Sequence, residues 1–258
     1  MNKRSCEIDG QIYMSMETSN QSYVVQSNDL IMGKQSLKLN SAKILRTLIM
    51  QIKPDDSDFK SYYITISELA NLLQVSSANL YRDIDNITDD ILSSHVAMKD
   101  PTKETFVKLP WVSACIYKKG VGLTVQMNPN LKPYLLNLKS HYTQYQLENI
   151  LTMKSIYGIR IFELLQKEQI AKYLPRGGAD IMLSVEDIRE ACDCEDKYIK
   201  ISQFKEKVID TAVKEINRTT IFYVTYESVK QGRSIVAIKF HLDSKFHLDS
   251  FWTEAEAN

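Results

Sequence analysis

The amino-acid sequence predicts an α+β fold in which two domains of the same type follow each other. The order helix, short strand, helix, tight turn, helix and β-hairpin occurs in the first half of the chain and recurs in the second half. The 258 residues fit about two ordinary domains, and 8 Gly with 6 Pro are few for a many-turned all-β fold. The repeated order is typical of a winged helix, a helix-turn-helix followed by a two-stranded wing.

The first predicted winged helix follows from apolar residues at helical spacing and from the turns between them. Ser67 and Ser77 each precede an apolar-periodic stretch and are expected to cap the two helices of the helix-turn-helix. Lys118-Lys119-Gly120 separates two β-type runs and is expected to form the wing turn. The predicted elements are helices over 41–52, 68–73 and 78–92, a short strand at 63–65, and strands over 96–98, 105–117 and 121–127.

The second predicted winged helix has clearer boundaries than the first. Ser184 precedes a short helix with Asp187 at the capping-box position, and a turn from Lys230 to Arg233 closes the second wing. A short helical connector over 131–138 precedes this half of the chain. The predicted elements are helices over 142–153, 155–173, 185–191 and 202–218, and strands over 181–183, 221–229 and 234–242.

These elements place the first domain at residues 22–138 and the second at 139–245. The terminal segments 1–21 and 246–258 are expected to be flexible. The first 20 residues lack an apolar core with a cleavage site, and no run approaches the roughly 20 apolar residues that span a membrane. We therefore expect a cytoplasmic protein with reduced thiols and no membrane partner.

The sequence offers no motif for catalysis, metal binding or a cofactor. It lacks G-x-x-x-x-G-K-[ST], G-x-G-x-x-G, H-E-x-x-H and any His pair at metal-ligand spacing. Cys192 and Cys194 are interpreted as free thiols at a helix end. Asp83 and Asp85 form a D-x-D, but positions i and i+2 of a helix point to different sides, so both are interpreted as solvated acids. We expect a protein that is not an enzyme.

The charges of the chain sum to zero but are segregated in the second domain. A formal net charge of zero, from 32 basic and 32 acidic residues, argues by itself against nucleic acid. Residues 180–196 carry seven acidic residues against one arginine, whereas residues 197–239 carry nine basic residues against four acidic ones. The basic stretch contains the long helix and the wing turn, the elements that a winged helix presents to DNA.

The polar side of the long helix carries side chains that can read base edges. Gln203 and Lys207 lie near its N-terminus, where Gln can bond adenine and Lys can bond guanine. At the wing turn, Lys230 and Arg233 would meet phosphates or the minor groove. The DNA-binding residues predicted in the second domain are Lys197, Lys200, Gln203, Lys207, Lys214, Lys230 and Arg233.

The first domain is expected to contribute less to DNA binding. Its reading helix offers Ser77, Asn79 and Arg82 at the start, but four aspartates follow and would repel phosphates unless they are turned away. Lys118 and Lys119 at its wing are better placed for contacts with the DNA backbone. The hairpin over 105–127 also offers a sheet edge for self-association.

Three segments resemble the replication initiators of iteron-containing plasmids, which are Rep proteins with two winged-helix domains. The resemblance covers about residues 22–242, and its most specific part is a helix ending in Glu-Ile-Asn, a strand and a Lys-x-Gly-Arg turn. The segments are VQSNDLI at 25–31, YTQYQLENILTMKSIYGIRIFELLQ at 142–166 and FKEKVIDTAVKEINRTTIFYVTYESVKQGRSIVAIKF at 204–240.

The resemblance implies that monomers bind direct repeats in a plasmid origin. It further implies that dimers, joined largely through the first domain, bind an inverted repeat and repress the protein's own promoter. A host initiator and a helicase are the implied partners. The resemblance places Lys200, Gln203, Lys207 and Arg233 in the main reading region. It matches Arg160 to a family arginine that contacts the DNA backbone or braces the domains.

We therefore expect a plasmid replication initiator whose second domain is the main DNA-reading domain. The first domain is expected to supply backbone contacts and dimerisation. A winged-helix transcription regulator without a replication role shares these physical features. A metal-dependent nicking or priming enzyme would use Asp83 and Asp85, and a protein-interaction module would not bind DNA. Family members are often distinctly basic, whereas this chain is neutral.

Overall fold

The computed structural model divides the chain into two compact units, each built as a winged helix. The residues that the structure describes are 5–8, 11–14, 22–100, 105–168 and 178–245. Unit 1 comprises Met1–Leu30 and Gln35–Leu151, and unit 2 comprises Ile31–Lys34 and Thr152–Asn258. Within the described ranges, no helix has both the length and the apolarity to cross a membrane.

The predicted order of elements is present in the first half of the chain. The helices up to Leu151 are α1 (Asn28–Met32), α2 (Leu39–Ile49), α3 (Ile66–Leu73), α4 (Ser77–Ser93), α5 (Lys132–Leu135) and α6 (Glu148–Leu151). The strands are β1 (Ser5–Ile8), β2 (Gln11–Met14), β3 (Tyr23–Ser27), β4 (Lys34–Gln35), β5 (Ser61–Thr65), β6 (His95–Asp100), β7 (Thr105–Pro110), β8 (Val112–Lys118), β9 (Gly122–Met127) and β10 (Tyr142–Gln146).

The helix-turn-helix of unit 1 consists of α3 and α4, and its helices start earlier than predicted. Thr65, rather than Ser67, caps α3, because its hydroxyl accepts from the Glu68 amide while its own amide donates to the Glu68 carboxylate. Ser76, rather than Ser77, caps α4. Between the helices Gln74 takes a left-handed conformation with a φ of 56°, which turns the chain tightly.

The strand predicted over 105–117 is two strands that belong to different sheets. β7 pairs with β6, whereas β8 pairs with β9, which also pairs with β5. The break falls at Trp111, whose side chain is completely buried in unit 1. The hairpin of β8 and β9 is the wing of unit 1.

The prediction of a helix over 142–153 is wrong in its first half. The boundary between the two predicted domains changes as a result. β10 pairs antiparallel with β3, and only the following α6 is helical. The sequence YTQYQ alternates between buried and exposed side chains, which is the period of a strand. Because β10 joins unit 1 through this pairing, unit 1 extends to Leu151 instead of ending at residue 138.

The terminal segments differ from the expectation in one respect. The segment 1–21, expected to be flexible, contains the antiparallel pair β1 and β2. The tail 246–258 lies outside the described residues.

Unit 2 agrees with its predicted elements except for the helix predicted over 155–173, which ends at Lys167; residues 169–173 lie outside the described residues. Its helices are α7 (Ile156–Lys167), α8 (Val185–Ala191), α9 (Ile201–Phe204) and α10 (Thr211–Thr219), and its strands are β11 (Ala179–Ser184), β12 (Phe222–Gln231) and β13 (Ser234–Ser244). Ser184 caps α8 through the Asp187 amide, as predicted. The strand order is β11-β13-β12, so the wing hairpin of β12 and β13 continues the sheet. α7 packs against α10.

Candidate nucleic-acid interface

The long helix of unit 2 runs over 201–219 and combines α9, a π-helical stretch (Lys205–Asp210) and α10. Its buried side consists of Phe204, Val208, Ile209, Ala212 and Ile216. Gln203, Lys207 and Lys214 are exposed, as the helical period predicted. The π-helical stretch was not predicted, and such stretches are frequent at functional sites. The helix therefore keeps one side in the core and offers polar side chains to solvent.

The turn before the long helix is anchored by Arg189, which the sequence analysis did not single out. Its guanidinium donates hydrogen bonds to three backbone carbonyl oxygens, those of Cys194 at 3.2 Å, Lys197 at 2.8 Å and Tyr198 at 2.8 Å. The same guanidinium lies 4.3 Å from the centroid of the Phe204 ring. Since Phe204 is buried in the long helix, one side chain fixes both the turn and the start of the helix.

Two of the acidic residues that precede the helix are paired with a cation of the same unit. The Lys34 ammonium lies 3.2 Å from an Asp193 carboxylate oxygen and 3.0 Å from Glu195. Burial opposes the charged form of Lys34, but the hydrogen bonds to Glu195 and Asp193 outweigh it and raise the pKa of Lys34. Negative charge in this part of the sequence is thus partly neutralised inside unit 2.

Two further acids of unit 2 are engaged by neighbouring side chains. Asp180 accepts from Lys239 at 2.8 Å and lies 2.6 Å from His241, and these contacts lower the pKa of Asp180. Asp210, on the long helix, accepts a 2.6 Å hydrogen bond from the Tyr226 hydroxyl. The pKa of Tyr226 is raised mainly by burial of the hydroxyl, and this hydrogen bond is the second cause. The bond directs the Asp210 carboxylate toward the wing strand β12.

Several basic residues of the interface remain available for an external anion. Among the described residues, Lys200, Lys214, Lys230 and Arg233 are exposed and form no ion pair. Lys207 lies 2.7 Å from the adjacent Glu206, which raises the pKa of Lys207. Lys197 is exposed and donates to the backbone oxygen of Asp193 at 3.2 Å.

The start of the long helix and the tip of the wing also carry exposed basic residues. The side chain of the N-cap residue Lys200 makes no capping hydrogen bond, so it satisfies none of the first backbone N–H groups of the helix. At the wing, Gly232 has a φ of +61°, which favours glycine in the turn between β12 and β13. Lys230 and Arg233 flank this turn. The lysines at the helix start and the two basic residues of the wing therefore lie on exposed parts of unit 2.

Arg160 does not lie where the DNA contact was predicted. Its side chain is 1% exposed and is surrounded by protein acceptors. It forms an ion pair with Glu163 and donates to the backbone oxygens of Ile31, Gly33 and Ala191. Of the two roles that the resemblance implied for Arg160, a contact with the DNA backbone does not fit this burial: Arg160 is a core residue of unit 2 that binds the segment Ile31–Lys34.

The corresponding surface of unit 1 carries more acidic charge. Ser77, Asn79 and Arg82 are exposed at the start of α4, as predicted, but the Arg82 guanidinium lies 3.1 Å from the Asp83 carboxylate. Lys118 and Lys119 are exposed at the turn of the unit 1 wing. Asp85 is exposed further along α4. A DNA backbone would therefore meet both signs of charge on this helix.

The residues weighed for metal chemistry do not form a site in the described part of the chain. No group of three or more His, Cys, Asp or Glu residues is placed there to hold a metal ion. Cys192 and Cys194 are buried, and burial raises the pKa of the Cys194 thiol to about 11. Both are free thiols that follow α8, which agrees with the interpretation of the C-x-C as a helix end.

Comparison with known proteins identifies the family of this chain. The profile described as initiator replication protein, WH1, matches residues 23–166, and the profile described as initiator Rep protein, WH2, matches residues 184–242. The chain belongs to the family of initiator replication proteins. This membership confirms the resemblance found in the sequence. The first profile includes most of α7, although α7 packs within unit 2.

Two curated proteins and one solved structure are similar to this chain over most of its length. The chain is 21% identical over 239 residues to a replication initiation protein of Escherichia coli, covering 91% of this chain and 73% of that protein. It is also 21% identical over 232 residues to an uncharacterized 27.6 kDa protein of Escherichia coli, covering 83% and 93%. The fold matches a crystal structure of the Pi initiator protein in complex with iteron DNA, with a TM-score of 0.72. That match has 18% identity and covers 87% of this chain and 98% of the other.

Proposed function

We propose that this initiator-family protein is a cytoplasmic plasmid replication initiator that binds repeated duplex sites, the iterons, at its origin. The observation that carries the proposal is the surface of unit 2, where Gln203 and Lys207 are exposed on the long helix together with Lys200 and Lys214, which form no ion pair among the described residues. The Pi initiator, which shares the fold, was crystallised with iteron DNA. The protein acts without catalysis of its own, through binding.

Binding places the long helix in a major groove and the wing on the flanking backbone. Gln203 and Lys207 read base edges, whereas Lys197, Lys200, Lys214, Lys230 and Arg233 contact phosphates. Unit 1 contributes backbone contacts through Ser77, Asn79, Arg82, Lys118 and Lys119. As a dimer joined through unit 1, the protein binds an inverted repeat and represses its own promoter. A host initiator and a helicase complete the assembly.

The self-association in this proposal has a candidate surface in unit 1. The strand β7 pairs with β6 on one side and exposes Phe106 to 73% and Val107 to 40%. An exposed apolar strand edge can pair with a second copy of the chain.

The test is a mobility shift with the direct repeats that flank the gene, beside the same DNA with its repeats scrambled. We expect specific binding that weakens about 10³- to 10⁵-fold between 50 and 200 mM salt if roughly six to ten phosphates are contacted. A plasmid carrying the repeats should replicate only when the gene is present. Binding without any loss of replication on gene deletion would indicate a transcription regulator. A salt slope near zero would exclude the proposed interface.

A further inference from the structure

The most exposed large apolar side chain in the described part of the chain lies at the start of the long helix. Ile199 is 74% exposed, and it lies two positions before Ile201, the first residue of α9. Isolated exposed apolar residues are common on protein surfaces. Ile199 differs from them in its neighbours, because the exposed residues Lys197 and Lys200 flank it on both sides.

Several contacts of Tyr198 fix the backbone conformation next to Ile199. Tyr198 has a left-handed φ of 52°, and its carbonyl oxygen accepts a 2.8 Å hydrogen bond from Arg189. The Tyr198 ring meets the Tyr157 ring edge to face, with centroids 6.1 Å apart. A non-glycine residue in this conformation persists only when its surroundings fix it. The outward position of Ile199 is therefore built into the turn.

The surroundings of Ile199 indicate the chemistry of what it contacts. Two exposed lysines favour an anionic partner. Of the three acids in the preceding turn, Asp193 and Glu195 are paired with Lys34, whereas Asp196 is exposed. A partner that combines phosphates with an exposed methyl group is duplex DNA, whose major groove displays the C5-methyl group of thymine. Apolar side chains recognise that methyl group by direct contact.

We propose that Ile199 is a specificity-determining residue that contacts the methyl group of one thymine in the bound site. The inference rests on the proposed function, because it requires the start of the long helix to enter the major groove. It adds an apolar reader to the polar readers Gln203 and Lys207. Lys197 and Lys200 then bind the phosphates on either side of that base.

The experiment combines a protein variant with a DNA variant. Footprinting defines the bound site, and each thymine in it is replaced in turn by deoxyuridine, which pairs identically but lacks the methyl group. At one position the wild type should bind about fourfold more weakly, the value expected for one buried methyl group. The variant Ile199→Ala should lose a similar factor on thymine DNA and should lose nothing further on deoxyuridine DNA at that position.

Two controls separate this contact from a structural role. The variant Met182→Ala removes another exposed apolar side chain, on β11, and should leave the affinity unchanged. The thermal midpoint of Ile199→Ala should equal that of the wild type. The role of Ile199 would be overturned if, at every thymine, the loss from Ile199→Ala multiplied the loss from deoxyuridine. A lowered thermal midpoint of Ile199→Ala would overturn it as well. Either result would leave the proposed function intact. Absence of specific binding by the wild type would overturn both.

Discussion

The two winged helices share an order of elements but pair their surface charges differently. In unit 1 the exposed Arg82 lies against Asp83, and Asp85 is exposed further along α4. In unit 2 Asp210 is bonded to Tyr226, and Lys214 on the same helix forms no ion pair among the described residues. The comparison teaches that two similar helices of a neutral chain can differ in whether an exposed cation, here Lys214 of unit 2, stays outside the ion pairs of the described residues.

The largest expected effect concerns the buried arginine that each unit contains. Replacement of Arg160 by Met should lower the free energy of unfolding of unit 2 by about 3–5 kcal/mol, because the buried Glu163 carboxylate loses its cation. In unit 1, Arg46→Met should cost less, about 1–3 kcal/mol, since the acceptor it leaves on Gln35 is uncharged. Denaturant titration of both variants measures this difference.

A double variant shows whether the charge itself causes the effect. Arg160→Met combined with Glu163→Leu should recover part of the loss, because no buried carboxylate remains. A double variant less stable than Arg160→Met alone would indicate that shape, rather than charge pairing, dominates in this core.

The next effect concerns base reading, where unit 2 should exceed unit 1. Lys207→Ala should weaken specific binding by about 1–3 kcal/mol if Lys207 bonds a guanine. Arg82→Ala should weaken binding less: both cations lie beside an adjacent acid, but α4 also exposes Asp85 and Asp89, which repel phosphates. Fluorescence anisotropy on the specific and the scrambled site measures both losses. Wild-type affinity of Lys207→Ala would show that the long helix does not read the site through this side chain.

The smallest expected effect concerns the two wings. Lys230→Ala and Arg233→Ala in unit 2, and Lys118→Ala and Lys119→Ala in unit 1, should each reduce the salt slope of binding by about one where the residue meets a phosphate. The loss should be similar on specific and scrambled DNA, since phosphates carry no sequence. If the salt slope of binding changes only for the variants of one wing, that wing alone contacts the DNA backbone.

Local signals in the sequence were sufficient for most of unit 2. Ser184 and the apolar period of the long helix predict α8 and α10 because caps and helical periodicity involve residues a few positions apart. The prediction for 142–153 was wrong because β10 finds its partner in β3, more than 100 residues earlier. The pattern of neighbouring residues does not indicate the pairing of β10 with β3.

Contacts between residues that are distant in sequence also limit what the sequence shows of the interface. The exposed positions of Gln203 and Lys207 follow from the helical period, and the structure bears out their exposure. The burial of Arg160 could not be predicted, because two of its acceptors belong to Ile31 and Gly33. The roles of Arg189 and Ile199 depend on a turn with a left-handed residue at Tyr198, which sequence patterns do not specify.

The assignment of the segment Ile31–Lys34 to unit 2 has a consequence for dissecting the protein. The chain passes from unit 1 to unit 2 and back within these four residues, and passes again after Leu151. A fragment that starts at Thr152 therefore lacks two of the three carbonyl acceptors of Arg160 and the cation that pairs with Asp193 and Glu195. Cutting the gene at a single point would separate two winged helices in sequence while leaving the second one without a piece of its own core.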